Sequence, residues 1–375
     1  MIDREERELF VQILEQRLGR ALTPPVRSAF LQVPRHLFVQ QYYEQRGNSL
    51  SWDLVQATPE KIYRDEALVT RIDERGMPSS STSQPSVMAA QLEALALQHG
   101  QRVLEIGVGT GYNAALLEKM VGDTGQVISI DIDEDLVERA KHHLTSGDVQ
   151  NVIALPGDGF LGEAAYAPYD RLLTTCSVRS IPRAWFDQLT MGGRLVGNWL
   201  THLASLFVCV EKTTADELDG GLLDLEASYM EMRTKDLVPS RQKIDWGQYE
   251  MRTPTRMHLP KMKPLLDNTA YSLLLQCFLP EMRKCYRSGS EDDQMRTYLL
   301  MREAAILVQD DGLLIFGDEG MGHMIRQSYD LYHHLGQPCI TEYRVTFQER
   351  QVVIHVGDQR FQLPLPERAA DVSSI

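Results

Sequence analysis

Glycines and carboxylates follow stretches of the sequence that have the composition of buried strands. After "RVLEI" come Gly107, Gly109 and Gly111, directly before an apolar helix pattern. Glycines here let the backbone turn tightly and approach a ligand at the helix N-terminus. Asp131 ends the next strand pattern, 20 residues after Gly111, where a carboxylate can accept hydrogen bonds from both hydroxyls of a ribose. These spacings predict a cofactor site.

Two further residues favour S-adenosylmethionine over a nicotinamide dinucleotide as that cofactor. Glu105 precedes the glycines in the "EIG" form typical of S-adenosylmethionine enzymes, and Asp158 in "GDG" follows a third strand pattern, where it could meet the adenine amino group. The dehydrogenase fingerprint requires a third glycine at a spacing that this sequence does not meet. A dinucleotide site and a purely structural turn are the alternatives, but polar groups at three strand ends favour the methyl donor.

Strand and helix patterns alternate from Arg102 onward, and they predict the sheet that positions these residues. The strand patterns are "RVLEIG", "QVISIDI", "NVIALPG", "YDRLLTTC", "GGRLVGNWL" and "LASLFVCVEK", with helix patterns in "YNAALLEKMVG", "EDLVERAKHHL" and "PRAWFDQL". Alternation at this pitch predicts an α/β fold with a parallel, Rossmann-like, doubly wound sheet. Upstream, the spacing predicts an amphipathic helix over 9–18 and a second short helix that Pro34 ends.

The pattern changes near Asp216. "TADELDGGLLD" predicts a polar turn, and the irregular stretch over 235–264 predicts a linker. Beyond it, "TAYSLLLQCFLPEMRKCY" predicts a helix, "AAILVQDDGLLIFG" a hairpin, "GHMIRQSYDLYHHLG" a helix closed by Gly336, and "ITEYRVTFQERQVVIHVG" a strand pair. We therefore expect an N-terminal helical and substrate/donor-loop segment at 1–98, a donor-binding Rossmann-like domain at 99–234, and a smaller α+β accessory domain at 235–375.

Charge and composition limit the partners and the compartment. The 375 residues carry a formal net charge of −14, which argues against a nucleic-acid partner. The five cysteines are scattered and form no CxxC pair, which predicts reduced thiols. With no signal-peptide core and no membrane span in the sequence, we expect a cytoplasmic protein without a membrane partner. The histidine pairs at 142–143 and 333–334 lack i,i+4 spacing, so no metal site is expected.

The region around the fourth strand pattern argues against a nucleic-acid base as the methyl acceptor. Amino methyltransferases of nucleic acids have Asn/Asp-Pro-Pro-Tyr/Phe here, whereas this sequence has "APYDRLLTTCSVRSIP". Cys176 lies roughly where base C5-methyltransferases keep a nucleophilic cysteine, but the expected Pro-Cys pair is missing. We interpret Cys176 as a small buried residue beside the donor.

Seven motifs, in order, resemble the protein-L-isoaspartate (D-aspartate) O-methyltransferase family. They are "VPRHLFV", "YRDEALVT", "SSTSQPSVMA", "VLEIGVGTGYNAALL", "GDGFLG", "APYDRLLTT" and "IPRAWFDQLTMGGRLV", within about residues 25–212. The resemblance implies a class I methyltransferase fold and methyl transfer from S-adenosylmethionine to a side-chain or α-carboxylate, giving a methyl ester and S-adenosylhomocysteine. Together with the glycine motif, it places the donor contacts on Ser80, Ser81, Thr82, Ser83, Glu105, Gly107, Gly109, Gly111, Asp131, Ile132, Asp158 and Gly159.

Ser83 is the predicted catalytic residue. In the family, the serine of a T-I-S-x-P motif lies between donor and acceptor, and that position matches Ser83, with Thr82 where the family often has Ile. A carboxylate with a pKa near ~4 is ionised at neutral pH and needs no general base, so positioning and exclusion of water are what an enzyme must supply. Alternatively, Ser83 caps the helix that Pro85 begins, and both roles can hold at once.

Residues beyond about 235 are extra relative to the short repair enzymes of the family. "DEALVTRIDERGMPSSSTSQPS" resembles longer members that occur with ribosomally made, post-translationally modified peptides, such as lanthipeptide and ATP-grasp systems. This resemblance implies methylation of an aspartate in a precursor peptide, leading to succinimide and isoaspartate. The alternative is repair of L-isoaspartyl residues in damaged proteins. Either way the partner is a peptide or protein that contains Asp or isoAsp. A donor-binding protein without catalysis is disfavoured by the intact Ser83, Asp131 and Asp158.

Two arginines near these motifs, Arg35 and Arg64, are candidates for anion contacts, with solvation at the protein surface as the default interpretation of each. We interpret His36 in "PRHLF" as a structural, hydrogen-bonding histidine rather than a catalytic one.

Overall fold

The computed structural model of the chain describes residues 4–47, 51–234, 244–250, 252–288, 295–302 and 304–365. The chain divides into two compact units. Unit 1 comprises Met1–Asn198, Val208–Leu218 and Leu225–Asp236, and unit 2 comprises Trp199–Phe207, Asp219–Asp224 and Leu237–Ile375. The sequence analysis placed the start of an accessory domain at 235, whereas in the structure two earlier segments also belong to unit 2.

Helices and strands alternate through the middle of the chain, as the sequence predicts. The helices of the described residues are α1 (Arg4–Leu18), α2 (Pro24–Gln32), α3 (Pro59–Ile62), α4 (Pro85–Leu95), α5 (Tyr112–Val121), α6 (Glu134–Ser146), α7 (Arg183–Gln188), α8 (Gly247–Glu250), α9 (Met262–Asp267), α10 (Thr269–Phe278) and α11 (Gly320–His334). The strands are β1 (Gln41–Gln45), β2 (Trp52–Gln56), β3 (Leu68–Ile72), β4 (Pro78–Thr82), β5 (Arg102–Ile106), β6 (Gln126–Asp131), β7 (Val152–Pro156), β8 (Tyr169–Val178), β9 (Leu189–Leu200), β10 (Ser205–Thr214), β11 (Glu217–Leu223), β12 (Thr255–His258), β13 (Arg283–Ser288), β14 (Met295–Met301), β15 (Ala304–Gln309), β16 (Gly312–Gly317), β17 (Arg344–Phe347), β18 (Gln351–Val356) and β19 (Gln359–Pro364).

The central sheet of unit 1 has the strand order β7-β6-β5-β8-β9-β10, and its first four strands are parallel. The chain runs outward from β5 through β6 to β7 and then returns to β8 on the other side of β5. Such a reversal opens a crevice outside the carboxyl ends of the strands. Ile106 at the end of β5 is in register with Ile130 and Thr174 of its two neighbours. The predicted doubly wound α/β sheet is confirmed, and it brings the strand ends that carry the predicted site to one edge.

Burial explains why these strands have continuous apolar runs. Val103, Leu104 and Ile106 of β5 are at most 2% exposed, and the apolar residues of β6 are equally buried. Strands of a parallel sheet are covered on both faces, so both alternate positions must be apolar. The ring of Tyr112 at the start of α5 packs edge-on against Phe30 of α2, with centroids 6.3 Å apart. The N-terminal helices therefore belong to the core of unit 1.

A four-stranded antiparallel sheet, with the order β2-β1-β3-β4, precedes α4 in unit 1. The sequence analysis did not predict it. The strands "QYYEQ" and "PSSST" lack an alternation of apolar and polar residues, so their sequences carry little strand signal. Leu68 of β3 is in register with Thr82 of β4, and α4 begins at Pro85. The hydroxyl-rich run therefore lies on a strand that leads directly into the predicted helix.

Unit 2 contains an antiparallel sheet with the order β12-β16-β15-β14-β13, the helices α10 and α11, and the antiparallel strands β17, β18 and β19. The predicted hairpin turn at Asp310 and Asp311 is confirmed by the pairing of Gln309 with Gly312. Gly336, with a φ of +80°, follows α11 as predicted. Within the described residues, no helix combines the length and hydropathy needed to cross a membrane.

Three predictions in this part of the chain were wrong in part or in full. The turn predicted near Asp216 is present at residues 215–216, but the rest of "TADELDGGLLD" forms β11, because Leu218 and Leu222 are buried and hold the segment extended. The proposed linker contains α8, β12 and α9 in its described residues, whereas 235–243 lie outside them. The end of "TAYSLLLQCFLPEMRKCY" forms β13, because Pro280 cannot continue α10.

Candidate functional site

The turn between β5 and α5 carries the predicted glycines. Gly107 has a φ of +102°, and a Cβ on it would collide with the Thr175 hydroxyl, which donates to the Gly107 carbonyl at 2.7 Å. Only glycine fits this position. The place that a Cβ would take on Gly109 is 3.6 Å from the Ser81 carbonyl oxygen and 3.8 Å from Ser80 Oγ. The glycine turn and β4 therefore line the same crevice.

Asp131, at the end of β6, lies against this turn. Its Oδ2 accepts from the Gly109 N–H and its Oδ1 from the Asp133 N–H, each at 3.2 Å. Burial raises the pKa of Asp131 above its ordinary value, and the two amides oppose that rise. An ionised carboxylate has about four acceptor positions, so two stay available for ligand hydroxyls. Ile132, the next predicted donor contact, is half-buried.

The loop after β7 is hydrogen-bonded to the end of β6, beside Asp131. The Gly157 N–H donates to the Asp131 carbonyl at 2.9 Å, so the third strand end lies beside the second. The Asp158 carboxylate accepts from the amide two residues further on, at 2.9 Å, and Trp185 Nε1 donates to the Gly159 carbonyl at 2.8 Å. The structure thus brings Asp158 and Gly159 together with Asp131 and the glycine turn.

Glu105 lies beneath the glycine turn and is fully buried. Asn113 Nδ2 donates to its Oε1 at 2.7 Å, and the Ser129 hydroxyl donates to its Oε2. Burial raises the pKa of Glu105 to about 7. Both oxygens are engaged by α5 and β6, so Glu105 joins the two elements that hold the turn. A direct contact between Glu105 and the donor stays a prediction.

Ser83 follows β4 and precedes α4, but it does not cap that helix. Gln84 occupies the cap position, and the first turn is satisfied by Asp65, whose Oδ1 accepts from the Ser86 N–H at 2.7 Å. Asp65 Oδ2 also accepts from the Ser86 hydroxyl at 2.7 Å. The Ser83 side chain is therefore not used by the helix end. Ser80 and Thr82 are buried, whereas Ser81 and Ser83 are half-buried.

The prediction that Arg35 contacts an anion is wrong. Arg35 is fully buried and donates to the carbonyls of Ile62, Arg64, Glu66 and Ser83 at 2.7 to 3.2 Å. Burial lowers its pKa to about 10. Its guanidinium donates to four backbone carbonyl oxygens. Three of them lie at residues 62–66, at the end of α3 and just after it, and the fourth belongs to Ser83. It therefore fixes the backbone of Ser83 instead of meeting substrate, whereas the Arg64 side chain is exposed.

A segment that the sequence analysis missed, Tyr229–Arg233, borders the site. It contacts the end of β8 through an isolated parallel bridge between Ser177 and Glu231. The Ser177 N–H donates to the Met230 carbonyl, and the Met232 N–H donates to the Ser177 carbonyl, each at 2.9 Å. The alternation of methionine with charged residues in "YMEMR" is the signal that could have predicted an extended segment here.

The first residue of the 229–233 segment contacts α4. The Tyr229 N–H donates to Asn198 Oδ1 at 3.1 Å, which fixes the backbone of the tyrosine. Its hydroxyl donates to Gln91 Oε1 of α4. Burial raises the pKa of Tyr229 well above its ordinary range, so the phenol stays protonated.

The last residues of the same segment lie on the donor side. Arg233 Nη2 is 4.0 Å from Asp131 Oδ1 and 4.0 Å from Asp133 Oδ2. The place of a Cβ on Gly159 is 2.5 Å from Met232 Sδ, so the methionine packs directly on the glycine backbone. The 229–233 segment therefore spans from Gln91 of α4 to the predicted donor contacts.

Cys176 and His36, two further residues whose side chains could take part in chemistry, have surroundings that favour a structural role. Burial raises the pKa of the Cys176 thiol to about 12, so it is not a thiolate nucleophile at neutral pH. His36 Nδ1 lies 3.0 Å from Tyr63 Oη, in agreement with the interpretation of a structural histidine. Among the residues that the structure describes, no cluster of three or more His, Cys, Asp or Glu side chains could hold a metal ion.

Comparisons with known proteins agree with this geometry. A sequence model of the family described as protein-L-isoaspartate(D-aspartate) O-methyltransferase matches residues 4–214. The protein-L-isoaspartate O-methyltransferase of Thermotoga maritima is 39% identical over 171 residues, which are 46% of this chain and 49% of that protein. The chain thus matches about half the length of this relative. The protein-L-isoaspartate O-methyltransferase of Methanosarcina mazei is 37% identical over 190 residues, 51% of this chain and 68% of that one.

A solved structure titled protein-L-isoaspartate O-methyltransferase superposes with a TM-score of 0.56 at 24% identity, covering 94% of this chain and 99% of the other. At that identity the likeness concerns the fold alone. It extends beyond the family-matched residues into the C-terminal part of the chain.

Proposed function

The chain belongs to the protein-L-isoaspartate(D-aspartate) O-methyltransferase family, and from this premise we propose that it transfers a methyl group from S-adenosylmethionine to a carboxylate of an isoaspartyl residue in a peptide or protein. The observation that carries the proposal is the convergence of the glycine turn, Asp131 and Asp158 at one sheet edge, with Ser80 and Ser81, shortly before Ser83 in the chain, against the same turn. The products are a methyl ester and S-adenosylhomocysteine.

The donor side has groups that suit an adenosine with a charged tail. Asp131 keeps acceptor positions for both ribose hydroxyls, and Asp158 is placed to accept from the adenine amino group. The glycine turn presents backbone amides at the N-terminus of α5, where a carboxylate is favoured. When bound, the sulfonium supplies an activated methyl group. The residues of this chain then have to hold the acceptor in line with it.

The acceptor side needs a hydrogen-bond donor rather than a base. A carboxylate is ionised at neutral pH, so no proton has to be removed before it attacks. Ser83 has a hydroxyl that is free of the helix cap and a backbone that Arg35 holds through the Ser83 carbonyl. We assign Ser83 the role of orienting one carboxylate oxygen, while the surrounding walls exclude water from the anionic nucleophile.

Methyl transfer to isoaspartate, which repair of damaged proteins requires, is the function that the comparisons support best, because the relatives are named protein-L-isoaspartate O-methyltransferases. Tailoring of an aspartate in a ribosomally made peptide is a second candidate, supported by the form of "ALVTRIDERGMP", which comprises β3, the turn after it and the first residue of β4, the strand that contains Ser80 and Ser81. The C-terminal extension does not discriminate, since a solved structure titled as an isoaspartate methyltransferase covers it too. A cytoplasmic location stays a prediction, supported by five free cysteines.

The test is methyl transfer from labelled S-adenosylmethionine to two synthetic peptides that differ only in having Asp or isoAsp at one position. We expect base-labile label on the isoAsp peptide and little on the Asp peptide. Esterification of the Asp peptide, followed by loss of methanol and a mass 18 Da below the starting peptide, as a succinimide requires, would favour tailoring. Absence of label on both peptides, and on a precursor peptide encoded beside the gene, would overturn carboxyl methyl transfer.

A further inference from the structure

Asp65 lies between α3 and β3, and it caps α4, a helix that begins 20 residues later. Its Oδ1 accepts from the Ser86 N–H at 2.7 Å, and its Oδ2 accepts from the Ser86 hydroxyl at 2.7 Å and from Gln84 Nε2 at 2.9 Å. The Asp65 side chain is only 9% exposed, so these bonds are shielded from bulk water. A helix usually receives such an acceptor from its own cap residue, whereas here the cap residue Gln84 itself donates to Asp65.

Ser83 immediately precedes this cap, so its backbone lies between two anchored points. On one side, the Ser83 carbonyl accepts from Arg35 Nη2 at 3.2 Å. On the other side, the start of α4 is bonded to Asp65. The same Arg35 nitrogen donates to the carbonyl of Glu66, the residue after Asp65, at 3.1 Å. The two segments are therefore joined twice, once through Arg35 and once directly through the Asp65 carboxylate.

The source of the cap affects where the Ser83 hydroxyl can point. A serine hydroxyl that caps a helix accepts from the first amides of that helix and is turned toward them. The proposed role of Ser83 instead requires its hydroxyl to turn toward a substrate carboxylate outside the helix. Because α4 takes its acceptor from Asp65, the helix end and the substrate do not compete for Ser83.

We propose, resting on the function proposed above, that Asp65 is a positioning residue for methyl transfer. It caps α4 from another segment and, together with Arg35, fixes the backbone from which the Ser83 hydroxyl donates to the acceptor carboxylate. In this role Asp65 touches neither donor nor acceptor. The rate of transfer depends steeply on the placement of the reacting groups, so a small displacement of Ser83 slows it.

The negative charge of Asp65 is compatible with an anionic acceptor close by. The N-terminus of α4 favours a carboxylate, and three N–H or O–H donors are directed at its two oxygens. Arg17 Nε also lies 3.9 Å from Asp65 Oδ2. The charge of Asp65 is therefore compensated within the fold, and loss of its hydrogen bonds should outweigh any relief of repulsion.

The test is a double-mutant cycle that combines Asp65→Ala with Ser83→Ala in the full-length chain, assayed with labelled S-adenosylmethionine and the isoAsp peptide. Asp65→Ala should lower kcat/KM for the peptide about tenfold. In the Ser83→Ala background the same change should lower it less than about twofold, because the hydroxyl that Asp65 positions is already absent. The dissociation constant for S-adenosylhomocysteine should stay within about twofold in all four proteins.

Asp65→Asn is the conservative variant. Its side-chain oxygen can still accept from the Ser86 N–H, but its amide nitrogen cannot accept from the Ser86 hydroxyl or from Gln84. Its kcat/KM should therefore lie between those of the wild type and Asp65→Ala, about threefold below the wild type. If Asp65→Ala does not fold, Asp65→Asn takes its place in the cycle, and its loss should likewise disappear when Ser83 is alanine.

Asp73→Ala is the matched control. Asp73 Oδ1 also accepts from two backbone N–H groups, at 2.9 and 2.8 Å, but it does so in the turn between β3 and β4. The substitution removes the same kind of hydrogen bond from a loop that does not anchor Ser83. Its kcat/KM should stay within about twofold of that of the wild type.

The outcomes separate the two proposals. An active wild type, with a loss in Asp65→Ala that disappears in the Ser83→Ala background, supports the positioning role. That role is overturned, and the proposed function left intact, by an unchanged or raised kcat/KM in the Asp65 variants, by equal losses in both backgrounds, by weaker binding of S-adenosylhomocysteine, or by an equal loss in Asp73→Ala. A wild type that binds S-adenosylhomocysteine but esterifies no carboxylate overturns both, because there is then no acceptor for Ser83 to orient.

Discussion

The proposed donor side and the proposed acceptor side of the site are built in different ways. The donor side comes from the ends of β5, β6 and β7, which follow one another within about 55 residues and are joined by the helices α5 and α6. The acceptor side comes from Ser83, which lies between β4 and α4 and whose carbonyl accepts from Arg35, 48 residues earlier in the chain. The first is a local arrangement, whereas the second depends on the folded state of the whole of unit 1.

This difference has an energetic counterpart. Groups of the proposed donor side are held by backbone hydrogen bonds between neighbouring strand ends, such as the one from the Gly107 N–H to the Ile130 carbonyl at 2.8 Å. The acceptor-side backbone is held by one buried guanidinium, Arg35, which binds carbonyls from two separate segments. We therefore expect a substitution of Arg35 to lower the free energy of unfolding. Substitutions of donor-side residues that face the ligand should mainly lower ligand affinity.

The largest effect is expected for Arg35→Met, which keeps much of the side-chain length but removes every donor. Four buried carbonyls then lose their partner, at about 1 kcal/mol each, so unfolding should become easier by about 4 kcal/mol. Urea and thermal unfolding measure this change. Arg64→Met, at an exposed neighbouring position, is the control. A loss below about 1 kcal/mol would show that the acceptor side does not depend on this residue.

Glu105→Gln tests how the buried Glu105 carboxyl, which joins α5 and β6 beneath the glycine turn, makes the free energy of unfolding depend on pH. The pKa of Glu105 is raised by burial from 4.5 to about 7, so folding takes up a proton between these values. The contribution of the wild-type side chain is full below about pH 4.5 and is lost as pH rises through about 7. Relative to wild type, Glu105→Gln should therefore gain up to about 3 kcal/mol in stability between pH 5 and pH 8. Parallel stability curves for the two proteins would contradict this.

Asp131→Ala should affect ligand binding more than folding. It removes the proposed acceptor of two ribose hydroxyls, each a hydrogen bond to a charged group worth about 1.5 kcal/mol, so affinity for S-adenosylhomocysteine should fall about a hundredfold. Isothermal titration calorimetry measures it. Asp123→Ala removes an exposed carboxylate in the turn before β6 and should leave the affinity unchanged. Equal affinities in all three proteins would remove Asp131 from the donor side.

Ser83→Ala should give the smallest effect, about tenfold in kcat, with donor affinity changed less than about twofold. The reason is that one oriented hydrogen bond to the acceptor is lost while the donor contacts stay. Ser79→Ala, on the strand β4 that precedes Ser83, is the control, since the Ser79 hydroxyl is buried and has no partner among the described residues. Equal losses in kcat and in donor affinity would place Ser83 on the donor side instead.

The glycine turn and the strand ends that form the proposed donor side could be predicted from the sequence because their signals are local. Glycine positions, strand composition and the interval from Gly111 to Asp131 all lie within a single repeating βα pattern. Ser83 was identified only through a family resemblance. The prediction for Arg35 was wrong because this side chain is buried by donating to carbonyls about 30 and 50 residues away in the sequence. Tyr229 was missed because no spacing rule connects residues 91 and 229. Strands β1 to β4 were missed because polar, half-exposed strands lack alternation.

The isolated bridge between Ser177 and Glu231 has a consequence for local unfolding. The amides of β5 and β6 belong to continuous ladders, so their hydrogens exchange with solvent only in openings close to global unfolding. The Met232 amide is bonded to the Ser177 carbonyl outside any such ladder, and it should exchange through a smaller and more frequent opening. Its protection factor would then report how often the 229–233 segment leaves the sheet, independently of any turnover.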